Sequence, residues 1–128
     1  MAARKAGSST VERVRAICLA LPEAVEKPFG DHSSPAWRVQ DKFFVMMPED
    51  GASLTLKSGK EAQEVLLRSD PDRFFFPKYV GSKGWIGVTL GRAADVDWDE
   101  LAELIVESYC LIAPKRLAAQ VELGGPQD

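Results

Sequence analysis

The sequence predicts an α+β domain in which an antiparallel sheet carries its helices on one face. Apolar residues recur at helical spacing in four segments, and between them they fall into short extended runs, the clearest alternating at spacing two. Polar turns, rather than crossover helices, separate most of the extended runs. A chain of 128 residues is long enough for one hydrophobic core. The domain is expected over residues 9–122, between small and polar tails at 1–8 and 123–128.

Ser9-Thr10-Val11-Glu12 has the form of a capping box, and Val11, Val14, Ile17, Cys18 and Leu21 follow at helical spacing until Pro22 stops the run. From Ala36 the pattern becomes extended. Trp37-Arg38-Val39 and the run from Phe43 to Met47 flank Gln40-Asp41-Lys42, a polar break that suits a hairpin although it lacks the usual glycine. Pro48-Glu49-Asp50-Gly51 is a stronger turn signal, since proline presets one dihedral and glycine accepts positive φ. In the strand that follows, Leu54 and Leu56 face one way and Ser53, Thr55 and Lys57 the other.

Ser58-Gly59-Lys60-Glu61 is a second capping box, followed by a short helix with Ala62, Val65 and Leu66 on one stripe and Asp70-Pro71 at its end. Gly81-Ser82-Lys83-Gly84 then predicts a sharp turn between an aromatic arm before it and Trp85 to Leu90 after it. In the second arm Ile86, Val88 and Leu90 are sent to the core and Trp85 to the opposite face, exposed at the base of the hairpin. Pro77 favours an edge strand or a break in the first arm. Asp97-Trp98-Asp99-Glu100 opens a third helix with Trp98, Leu101, Ile105, Tyr109 and Ile112 on its stripe. Pro114 kinks the chain or starts a fourth, whose apolar side is Leu117, Ala118 and Val121.

Bulk composition excludes several roles. A net charge of −3 opposes generic coating of nucleic acid, so any DNA contact must be local. The composition is 45% hydrophobic, yet no run approaches the roughly 20 apolar residues that cross a bilayer. No membrane role is expected, the N-terminus lacks the apolar core of a secretion signal, and the expected compartment is the cytoplasm. Cys18 and Cys110 fall in apolar helical segments and read as structural thiols. With one histidine and two separated cysteines, no zinc spacing is present, and no cofactor is expected.

Asp31-His32-Ser33-Ser34 has the residue types of a hydrolytic triad, but consecutive side chains diverge, so a polar loop is the expectation. Asp95, Asp97, Asp99 and Glu100 resemble a cation site in composition only. They lack the spacing of a calcium loop, and at a helix start they complement free amides. No activated nucleophile or phosphate loop is visible, so catalysis is not expected.

The candidate binding residues are Lys78, Tyr79, Lys83 and Trp85, which bring ammonium groups for phosphates and rings for bases to one projecting hairpin. The competing reading has Tyr79 and Trp85 covering the outer sheet face while the lysines keep a loop soluble.

Leu21-Pro22-Glu23, Pro28-Phe29-Gly30, Trp37-Arg38-Val39, Lys42-Phe43-Phe44, Leu54 to Lys57, Pro77-Lys78-Tyr79, Gly84-Trp85 and Ser108-Tyr109 together resemble the MmcQ/YjbR family. The resemblance covers nearly all of the expected domain and departs from some relatives at Gln40-Asp41, where a glycine often precedes the lysine. It implies a small α+β domain described as DNA-binding-like for its similarity to a double-wing fold, with structural importance for Pro28, Phe29, Gly30, Pro77, Tyr79 and Trp85 and no catalytic role. Shape alone does not confer function. Two functions follow as expectations: weak, salt-sensitive DNA binding through the Lys78 to Trp85 wing, or a protein-interaction or chaperone-like module that uses exposed aromatic surface to hold a protein partner or a second copy as a homodimer. A small-molecule pocket between sheet and helices is a third possibility with no residue signature.

Overall fold

A computed structural model describes residues 6–28, 34–47, 52–91 and 95–124, with side chains from Thr10 to Val121. The loop around His32 and the Pro48 to Gly51 turn lie outside the described residues. The elements in chain order are α1 (Ala6–Leu19), β1 (Val25–Glu26), β2 (Ala36–Val39), β3 (Lys42–Met46) and β4 (Ser53–Lys57). They are followed by α2 (Lys60–Ser69), β5 (Phe74–Phe75), a short 3-10 turn at Gly81–Lys83, β6 (Trp85–Thr89), α3 (Trp98–Ile112) and α4 (Lys115–Gly124).

The strands form a six-stranded antiparallel sheet in the order β1-β2-β3-β4-β6-β5. Leu54 pairs with Val88 and Leu56 with Ile86, and all four are buried against the helices. The residues between them, Thr55 opposite Gly87 and Lys57 opposite Trp85, point to the other face by the period of two. On the inner face α3 packs over β3 and β4, while α2 packs against β5 and β6. The α+β class with helices on one face of an antiparallel sheet is therefore the architecture observed. Trp37, Phe44, Leu101, Ile105 and Tyr109, each 1% exposed or less, make the centre of the core. Burial of side chains this size stabilises by about 1.5–3 kcal/mol each.

The first hairpin closes without glycine. Gln40 and Asp41, the two turn residues, both take positive φ, 53° and 66°. A two-residue turn of this kind ordinarily uses Asn-Gly. Gln40 Nε2 donates to Glu23 Oε1 at 2.8 Å, and Glu23 in turn lies 3.4 Å from Arg116 of α4, which holds the turn against the helical layer. Asp41→Gly is expected to stabilise by about 0.5–1 kcal/mol, because it relieves the left-handed backbone at an exposed site. Thermal unfolding checks this, with a rise of roughly 2–5 °C expected; a fall would show that Asp41 is at ease there.

Register in this hairpin steps from Trp37 opposite Val45 to Arg38 opposite Phe43, leaving Phe44 unpaired. The irregularity lets two consecutive residues, Phe44 and Val45, both be fully buried, which strict alternation would forbid. Phe44 meets Tyr109 edge to face at 5.5 Å, and the Tyr109 hydroxyl donates to the Pro22 carbonyl at 2.6 Å. Burial, aided by Cys110 and Glu23 against Arg116, raises the pKa of that phenol, so it remains a donor.

Two sequence expectations about helix starts are corrected. Helix α1 begins at Ala6, ahead of Ser9, so the first capping box lies inside the helix. At α2 the N-cap is Gly59 with no side-chain bond, because the Ser58 hydroxyl instead donates to Gly84 O at 3.0 Å. The stripe expected on α2 is also rotated: Val65 is 62% exposed, and Gln63 is the residue turned inward. By contrast Asp97 caps α3 as expected, its carboxylate accepting from Glu100 N at 3.1 Å. Cys18 is fully buried, and burial together with Glu26 pushes its thiol pKa up, which leaves an inert core hydrophobe.

Candidate nucleic-acid interface

The aromatic arm and the last strand pair only at Phe74 opposite Val88 and Phe75 opposite Gly87. The long two-armed hairpin of the sequence reading is thus corrected to a short ladder and a folded loop over residues 76–84. Pro77 has no amide to donate, and the chain satisfies its polar groups locally instead. Val80 N bonds Lys78 O at 2.7 Å, Gly81 N bonds Pro77 O at 2.9 Å, and Lys83 N bonds Val80 O at 2.9 Å. The 3-10 turn then returns the chain to the sheet at Trp85.

Contacts from outside the loop fix its shape. Gln63 Nε2, on a residue only 6% exposed, donates to both Gly81 O and Trp85 O at 2.7 Å. The amides of Ser58 and Gly59 both donate to Gly84 O, at 2.9 and 2.8 Å, and Lys57 Nζ reaches Lys83 O at 2.7 Å. The Phe76 ring occupies the space a side chain at Gly81 would need, and the Phe75 ring does the same at Gly87. Those two glycines are therefore sites of close ring approach.

On this frame Tyr79 stands 89% exposed, with φ at +69°. A bulky residue in the left-handed region is unusual and costs of order 1–3 kcal/mol. Phe76, 57% exposed, lies in the same loop and was not singled out from sequence. Lys78 and Lys83 are both exposed, and among the described residues neither is paired with a carboxylate. Lys78, Tyr79 and Lys83 are thus all exposed on the loop at residues 76–84.

Trp85 does not join them. It is 8% exposed, which corrects the expectation of an accessible ring. Alternation does place it on the outer face, where Lys57, its register partner, extends to Lys83 O. Its contribution is to hold the base of the loop. Gln63, which secures the same base, had no signal in the sequence beyond being a polar residue on a helix.

Elsewhere, a cleft of about 310 Å³ lies between α2 and α3, floored by Leu56 and walled by Leu66, Leu104, Cys110 and Leu111. Glu100, near the acidic helix start, pairs with Arg73. Among the described residues no group of three or more His, Cys, Asp or Glu is placed to hold a metal ion. Among them, too, no helix is long and apolar enough to cross a membrane.

Comparison with known proteins agrees with this architecture. The crystal structure of Deinococcus radiodurans protein DR2400, described by the family-model domain DUF419, superposes with a TM-score of 0.74 at 23% identity, over 92% of this chain and 94% of that one. At that identity the likeness is one of fold. No curated protein matches the chain. The family model YjbR matches residues 19–111, from the end of α1 through most of α3 and including the whole sheet and the loop that carries Tyr79, and the chain belongs to the YjbR family.

Proposed function

We propose that this protein binds DNA through the loop at residues 76–84, with Tyr79 as a stacking ring and Lys78 and Lys83 as phosphate contacts. The observation that carries the reading is Tyr79, held 89% exposed at positive φ on a loop tied down from four neighbouring positions. Folding alone does not favour that arrangement, since a ring in water gains no burial and its backbone is strained. A base stacked on the ring would recover contact worth about 1–3 kcal/mol. Two ammonium groups on the same loop, neither paired with a carboxylate among the described residues, would give modest affinity that falls as salt rises.

Fluorescence anisotropy with short labelled oligonucleotides at low salt tests the reading. Tyr79→Gly is expected to weaken binding by roughly 5- to 150-fold while leaving the unfolding midpoint unchanged or higher, because glycine accepts the left-handed conformation. Lys78→Glu combined with Lys83→Glu should abolish binding and flatten its salt dependence. Absence of binding by the unaltered protein, or affinity indifferent to all three changes, would overturn the proposal.

A further inference from the structure

The face of the sheet turned away from the helices carries a second feature that the loop does not explain. Arg38 lies between Trp37 and Val39, both fully buried on the inner side, so its side chain emerges on the outer face. Its guanidinium carbon sits 4.3 Å from the centroid of the Phe43 ring, on the neighbouring strand at the paired position. Among the described residues the guanidinium meets no carboxylate, and its Nε is shielded from solvent without a hydrogen-bond partner. A positive plane stacked on an aromatic ring and left uncommitted is a surface on which a base can stack and a phosphate can be held.

This pair is linked to the loop. Arg38 and Phe43 are at the same level of β2 and β3; on β4 Lys57 is on the same face, opposite Trp85 of β6, and its ammonium reaches Lys83 O. From β2 to β6 there are three inter-strand steps of about 4.8 Å, so Arg38 and the base of the loop at Trp85 lie roughly 14 Å apart across the strands. A stacked strand rises about 3.4 Å per nucleotide, so about four to five nucleotides cover the distance.

We propose that the DNA held by the loop is single-stranded and crosses the helix-free sheet face from Tyr79 to Arg38, where the guanidinium stacked on Phe43 receives a base and its phosphate. This rests on the DNA-binding reading above and adds to it the strandedness, the path and the length of the ligand. Bases must be unstacked from a partner strand to lie on such a surface, which a duplex does not allow. Few cations line the path, Arg38 at one end and Lys78 and Lys83 on the loop at the other, which also suits a single strand, whose charge is less dense than that of a duplex.

The test is anisotropy with oligothymidines of three to ten nucleotides and with a duplex of the same length. Affinity for the single strand is expected to rise with length up to about five or six nucleotides and then level off, and the duplex should bind at least tenfold more weakly. Arg38→Ala should weaken single-strand binding by roughly 5- to 50-fold, and Arg38→Lys should restore little of it, because lysine keeps the charge but not the plane. Arg38→Lys also covers the case in which Arg38→Ala fails to fold, which circular dichroism would reveal. Duplex preferred over single strand, or Arg38→Lys binding as tightly as the unaltered protein, overturns the sheet path. If the Tyr79 and lysine variants lose binding in that same experiment, the loop reading stands without it.

Discussion

Ser108→Ala is expected to destabilise the domain by about 2–4 kcal/mol, a large effect for removing one oxygen. The reason lies where two strands part. Beyond the pair Val45 and Leu56, the next residues in register would be Phe44 and Lys57, but the ladder between β3 and β4 stops at Val45. The Ser108 hydroxyl of α3 enters the gap, accepting from Lys57 N at 2.9 Å and donating to Phe44 O at 2.8 Å. It replaces one strand-to-strand bond with two and fastens the helix to the sheet at its centre. Alanine would leave a donor and an acceptor without partners at a residue that is fully buried. Urea unfolding measures the loss, and an unchanged m-value would assign it to stability alone. A cost below about 0.5 kcal/mol would mean that the strands close and bond directly once the hydroxyl is gone.

Gln63→Leu is the second change expected to have a large effect, about 2–3 kcal/mol of stability together with a loosened loop. Leucine has comparable bulk but no donors, so Gly81 O and Trp85 O would both lose the amide that now holds them. Amide exchange should accelerate at Lys83, Gly84 and Trp85, whose N–H groups bond within the loop to Val80 and Gly81 carbonyls. On the proposed DNA-binding reading affinity should fall as well, although no proposed contact is altered, since the loop that carries Tyr79 would be less ordered. Unchanged exchange at these amides would show that the Ser58 and Gly59 bonds to Gly84 suffice to keep the loop in place.

Both residues show where sequence reading stops. Leu54, Leu56, Ile86 and Val88 announce their strands by period two, and Leu101, Ile105 and Tyr109 their helix by threes and fours; all are buried as that spacing requires. Ser108 and Gln63 are polar residues on helices, and polarity alone reads as a solvent-facing position. Each is buried because a neighbouring segment leaves backbone groups unpaired, and those vacancies arise only when the strands and loop come together. The same holds for Ser58, whose place in a capping box was legible while its actual acceptor, Gly84, lies 26 residues further along the chain.

By itself the sequence determined the class, the inner and outer faces of β4 and β6, the cap at Asp97 and the loop on which lysines and aromatics gather. Those are consequences of periodicity and local chemistry. Only the tertiary structure decided that Trp85 is covered while Tyr79 is exposed, that α2 turns Gln63 inward and Val65 outward, and that Arg38 rests on Phe43. Alternation says which face of a sheet a side chain leaves from, but how far it is then covered depends on how segments distant in sequence come together, as where Lys57 of β4 reaches Lys83 O next to Trp85.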